Sequence, residues 1–141
     1  VPGDGTYVSH RTYVEDVATA IRLVAERGDR GAAYNVADRR PLTMDQTVEL
    51  VADVAERSVD ITHASERDLA REGLSTGDFP LVMHDVPFVL ATDKLASLGW
   101  ESTPVDEAMA RTVDHYRRGD RTERDLWPDR EAERRVLDAL E

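Results

Sequence analysis

Apolar residues recur near the start of the chain with a helical period. Val14, Val17, Ala18, Ile21, Val24 and Ala25 fall on one face of a helix that Gly28 closes as a left-handed C-cap. Upstream, Pro2, Gly3 and Gly5 mark a loop that enters a short strand in "TYVSHRT". Downstream, Gly31 opens "AAYNVA", a short continuous apolar run of the kind used by a sheet buried on both faces. Residues 13–37 therefore read as helix, tight turn and strand, half of an α/β unit whose other half is nowhere in the chain.

The pattern then repeats. Thr43 with Gln46 forms a capping box, and Met44, Val48, Val51, Val54 and Ala55 give the next helix one apolar stripe. "VDITH" at 59–63 alternates as a short strand, and Ser65 with Asp68 caps a third helix that stops near Gly73. Residues 74–91 hold Gly77, Pro80 and Pro87 without a sustained period, an ordered loop with a short strand in "FVLA". A short helix begins at Thr92 or Asp93 and ends at Gly99-Trp100. Thr103 as N-cap, Pro104 and the acids Asp106 and Glu107 start another, with Val105, Ala108, Met109, Thr112, Val113 and Tyr116 on one face. After Gly119 a charged connector leads through Trp127 and Pro128 to a terminal helix with the stripe Ala132, Val136, Leu137 and Leu140.

Composition narrows the classes. At 141 residues the chain supports one domain, and no apolar run approaches the roughly 18 residues of a membrane span. It opens at Val1 without an initiator Met, which reads as a piece of a longer polypeptide. Cysteine is absent, which excludes thiolate metal sites and disulfides and fits a reducing cytoplasm. Asp and Glu number 29, against 17 Arg and the single lysine Lys94, for a net charge of −11. Such a balance resembles proteins of a salt-loaded halophile cytoplasm, with an ordinary acidic enzyme as the alternative. It disfavours nucleic acid as a partner at moderate salt, because phosphate contacts need a positive surface.

Candidate chemistry is sparse. The G-x-G of "GDGT" lacks its third glycine, since Val8 stands there, and a strand follows it; it reads as a turn and not a dinucleotide loop. "GDRG" at 28–31 matches an RNA-clamping G-x-x-G loop, but it joins a helix to a strand, where helix-end chemistry suffices. His10, His63, His84 and His115 lack metal-ligand spacing. The seven arginines in 117–135 are matched by six acids, which makes a solvated face laced with ion pairs.

The combination is more specific than its parts. "GDGT", "VEDVATAI", "AYNVA", "LTMDQTVELVADVA" and "TDKLASLGWES" together resemble the C-terminal portion of an extended short-chain dehydrogenase/reductase, the NAD-dependent epimerase/dehydratase family. The resemblance implies an α/β fold class: the C-terminal portion of a doubly wound, Rossmann-type fold plus the small mixed α/β substrate domain. Residues 1–141 would form one C-terminal substrate-side domain, with 12–37 completing the nucleotide-binding sheet and 120–141 a helical extension. It further implies a missing N-terminal nucleotide-binding half that holds NAD or NADP, a sugar-like small-molecule substrate, and self-association of the chain as a homo-oligomer. The substrate cleft would be lined by Ser9, His10, Arg11 and His84, which orient and hydrogen-bond. The family's Tyr-x-x-x-Lys pair is absent, so no catalytic residue is assigned. Epimerases of the family place an arginine where Ser9 stands and another near 81–84, and both are missing here. "FPLVMH", "LGWEST", "YRRGDR" and "DREAERRVLDAL" are similar to the chloroplast stem-loop RNA-binding proteins of the same family, so an RNA-binding or endoribonuclease-like protein is the alternative. A regulator that binds NAD(P) without turnover is a third reading.

Overall fold

A computed structural model describes residues 1–79, 87–119 and 129–140. Among these residues six α-helices accompany a two-stranded sheet, in the order β1 (Val8–Ser9), α1 (Val14–Arg27), β2 (Leu42–Thr43), α2 (Met44–Val54), α3 (Glu66–Arg71), α4 (Asp93–Ala96), α5 (Val105–Arg118) and α6 (Arg130–Leu140). Among the described residues no helix is long and apolar enough to cross a membrane.

Both capping boxes form as the sequence predicts. Thr43 Oγ1 accepts from the Gln46 backbone N–H while the Gln46 side chain accepts from that of Thr43, and Ser65 and Asp68 repeat the exchange at α3. Each box satisfies two donors that a helix start leaves without partners. β1 and β2 pair antiparallel, Val8 with Thr43 and Ser9 with Leu42, and Ser9 also bridges in parallel to Phe88. The predicted strand in "FVLA" is thus one bridge long, and the only bridge near "VDITH" among the described residues joins Ala64, just after it, to Pro2.

Four sequence expectations change. Gly28 is not left-handed; its φ of −71° and ψ of 148° are extended, and Gly31, at φ 80°, makes the turn. Glycine is needed at 28 for room, because a Cβ there would stand 2.5 Å from the Val24 carbonyl oxygen. In α1 the buried residues are Asp16, Ala20 and Leu23, whereas Val14 and Ile21 of the expected stripe are 71% and 65% exposed. The helix is apolar on two sides, and Leu95 and Trp100 cover only one of them. Residues 33–37 carry no strand ladder among the described residues, although Tyr34 and Val36 pack against the Trp100 cluster. Finally, Thr103 is not the N-cap of α5. Pro104 takes that place, and the Thr103 backbone N–H and hydroxyl both donate to Asp16, at 2.9 and 2.7 Å.

Two clusters of buried apolar residues form among the described residues. Ala20, Leu23, Leu95 and Trp100 form one, with the Trp100 indole N–H donating to the Asp16 carbonyl at 3.2 Å. Ala64, Leu69, Leu74, Ala132 and Val136 form the other, which seats α6 on α3. Ala132 and Val136 are buried as the stripe predicts, while Leu137 and Leu140 face outward. Trp127 and Pro128 lie outside the described residues. The charged C-terminal face carries the expected ion pairs, Arg130 with Glu133 and Arg118 with Asp114, and Arg135 reaches Glu72 on the chain that follows α3.

Candidate functional site

Side chains alternate across an extended chain, so Ser9 and Arg11 face one way and His10 the other. Ser9 and Arg11 line a cleft of about 240 Å³ whose apolar wall is α2 and α5, through Val51, Val105, Ala108 and Met109, and whose rim carries Asp38 and the exposed Arg40. The packing of α2 on α5 fixes that wall.

His10 does not line the cleft. Its Nδ1 accepts the Leu90 backbone N–H at 3.0 Å, which leaves Nε2 to donate to the Asp38 carbonyl. The imidazole is a clamp between three chain segments, with no nitrogen left over for a ligand. His84 lies outside the described residues.

Asp38 has the most unusual surroundings in the cleft. It is 6% exposed, and its Oδ1 is buried without a hydrogen-bond partner. Its backbone is held on both sides: the N–H donates to the Arg11 carbonyl at 2.8 Å and the carbonyl accepts from His10. Burial pushes its carboxyl pKa up, and a backbone hydrogen bond from Tyr13 opposes that only in part. The Arg11 guanidinium is displaced in the matching direction, its pKa lowered by burial and partly restored by Tyr7 and Asp38. Among the described residues Arg11 makes no side-chain hydrogen bond and no ion pair. The Tyr7 hydroxyl beside it is likewise buried and unpartnered, and burial raises its pKa.

These groups cost stability. The raised folded-state pKa of Asp38 means that the native state binds more protons than the unfolded one across the interval above 3.8. Stability therefore falls as pH rises through that interval. Asp38→Asn is expected to raise the unfolding midpoint near neutral pH, with the gain fading as pH falls toward 3.8. A midpoint difference between variant and parent that stays constant over that range in thermal denaturation would contradict the assignment.

Ser9 and Arg11, two of the residues expected from the sequence, line the cleft together with Asp38 and Arg40, which the sequence did not single out. One signal was present: ligands of open α/β sheets gather at the carboxyl ends of strands, and Asp38 is the first charged residue after "AYNVA".

The chain is similar in sequence to known sugar-nucleotide enzymes. No family model matches it. It is 32% identical over 117 residues to a trifunctional UDP-glucose 4,6-dehydratase/UDP-4-keto-6-deoxy-D-glucose 3,5-epimerase/UDP-4-keto-L-rhamnose-reductase of Arabidopsis thaliana, a match over 82% of this chain and 16% of that protein. It is 29% identical to a low-salt glycan biosynthesis protein of Haloferax volcanii, over 82% of this chain and 34% of that one. Among solved structures, dTDP-glucose 4,6-dehydratase of Bacillus anthracis in complex with NAD superposes with a TM-score of 0.66 at 21% identity, over 85% of this chain and 34% of that one. UDP-glucose 4-epimerase of Thermotoga maritima with UDP-glucose gives 0.63 at 27% identity, over 83% and 34%. The chain thus spans about a third or less of these proteins, and its α/β fold is that of a portion of Rossmann-type dehydratases and epimerases, the fold class expected from the sequence.

Proposed function

We propose that this chain is the substrate-side part of an NAD(P)-dependent epimerase, dehydratase or reductase acting on a sugar or a related carbonyl compound. The observation that carries this reading is the cleft, in which a partly buried guanidinium and a buried carboxylate oxygen stand unpartnered on a fold shared with sugar-nucleotide enzymes. Unsatisfied buried polar groups are kept where a ligand completes them.

The cofactor is held elsewhere. The turn at Gly3 and Gly5 does not fit a dinucleotide phosphate, because the space a Gly5 Cβ would occupy is filled by the Asp45 carboxylate. An acid in that place repels a phosphate. The nucleotide-binding half lies outside these 141 residues and packs on the exposed apolar side of α1, at Val14 and Ile21, with its sheet continuing along residues 33–37. Ser9 and Arg11 belong to this chain's share of the site, and binding and orientation of the substrate are their work.

The test uses the longest polypeptide that contains this chain, incubated with NAD or NADP and a panel of nucleoside diphosphate sugars. Cofactor binding and cofactor-dependent conversion of at least one sugar are expected. Absence of binding to either dinucleotide would overturn the reading.

A further inference from the structure

His10 stands where three chain segments meet, and both of its ring nitrogens are in use. Nδ1 accepts the Leu90 backbone N–H at 3.0 Å, and Nε2 lies against the Asp38 carbonyl oxygen. Backbone groups cannot exchange roles, because an amide N–H only donates and a carbonyl only accepts. The two partners therefore fix a neutral imidazole with its proton on Nε2. A protonated ring carries an N–H on each nitrogen, so its Nδ1–H would stand against the Leu90 N–H, donor facing donor. On the other side nothing is lost, since Nε2–H still donates to the Asp38 carbonyl. The charged groups around the ring sharpen this difference. Residues 87–91, β1 and β2 carry no titratable side chain, whereas residue 38 brings a carboxyl whose negative charge attracts a protonated His10. The neighbouring Arg11 is turned into the cleft.

We propose that His10 is a proton-operated latch: as the neutral ring it ties residues 87–91 to the chain after β1, and on taking up a proton it lets go of Leu90 while keeping its hold on Asp38. Besides the latch, the segment is held by the Phe88 N–H on the Val8 carbonyl and the His10 N–H on the Phe88 carbonyl, both at 3.1 Å. The Asn35 side-chain amide adds a bond to the Ala91 carbonyl at 3.0 Å. Phe88 and Val89 are 53% and 57% exposed, so apolar burial does little to fix the segment, and one hydrogen bond is a sizeable share of what does. Ser9 lies between this segment and β2, bridging Phe88 on one side and pairing with Leu42 on the other, and it lines the cleft. Proton uptake at His10 is thereby linked to the edge of the cleft, whatever the cleft binds.

The test is nitrogen–proton NMR of the isotope-labelled full chain between about pH 8 and about pH 5, the span across which imidazoles ordinarily change charge. At the upper end the His10 ring is expected to carry its proton on Nε2, with the Leu90 amide protected from hydrogen exchange. As pH falls, that protection, corrected for the intrinsic pH dependence of exchange, should drop about tenfold with the same midpoint as the His10 nitrogens. The Asp38 amide, which donates to the Arg11 carbonyl at 2.8 Å, should keep its own protection. In His10→Asn an oxygen that does not titrate takes the place of Nδ1, so Leu90 should stay protected throughout. Three results would overturn the proposal: a proton on Nδ1 at about pH 8, Leu90 protection that stays constant while His10 titrates, or a loss that follows His63, His84 or His115 instead or persists in His10→Asn. The unaltered chain gives the first two readings, which decide the matter even where the variant folds poorly. The assay needs neither cofactor nor turnover, so the latch can fail while the oxidoreductase reading stands, and the reverse.

Discussion

Asp16→Ala lowers the unfolding free energy by about 3 kcal/mol, read as a shift in the denaturation midpoint at unchanged slope. The estimate comes from two charge-assisted hydrogen bonds at a buried carboxylate, one from the Thr103 backbone N–H at 2.9 Å and one from its hydroxyl at 2.7 Å. Alanine removes both and leaves a backbone donor without a partner, which costs more than the bonds themselves are worth on balance. Asp16→Asn keeps one acceptor and turns an amide N–H toward a donor, so about half the loss is expected. A double-mutant cycle with Thr103→Ala separates the hydroxyl's share, expected at about 1–2 kcal/mol of coupling. A loss below about 1 kcal/mol for Asp16→Ala would show that water replaces the carboxylate and that the link between α1 and the start of α5 is weak.

The same carboxylate shows what a sequence can and cannot disclose. Thr103-Pro104 before two acids is a sound local signal for a helix start, and α5 does start there. The threonine itself is spent on a residue 87 positions away, a contact with no local signature. The capping boxes at Thr43 and Ser65 were legible because both partners lie within one turn. In α1 the helix was legible and its buried side was not. Val14 and Ile21 recur with the same period as Ala20 and Leu23, and only the position of Leu95 and Trp100 decides which set faces the core. Residues 33–37 have the composition of a buried strand, but a ladder is made by two chains, and the described residues supply no neighbour.

At the cleft the division is similar. Alternation along an extended segment puts Ser9 and Arg11 on the cleft side and turns His10 toward the backbone of Asp38 and Leu90, a division that the sequence expectation of all three in one cleft did not make. Its place after "AYNVA" was the one sequence signal for Asp38 among 29 acids, and its burial is what sets it apart from them. What marks it is the unpartnered state of Oδ1 in an environment where carboxylates ordinarily pair.

The second large effect concerns the other core. Val136→Asp is expected to detach α6 at a cost of about 3 kcal/mol or more, because a carboxylate would be buried among Ala64, Leu69, Leu74 and Ala132 with no cation among them. The Arg135–Glu72 pair at 2.7 Å also ties α6 to the chain after α3, but its arginine is half-exposed, and exposed pairs contribute about 1 kcal/mol or less. An 11-residue helix freed from its groove does not persist in water, so α6 should melt. Trypsin would then cut rapidly at Arg134 and Arg135. The Trp100 cluster shares no residue with the α6 seat, so the Trp100 indole N–H, bonded to the Asp16 carbonyl, should keep its protection from hydrogen exchange in the same variant. Loss of that protection together with α6 would mean that the two clusters unfold as one unit, and that the cleft depends on the C-terminal helix for its shape.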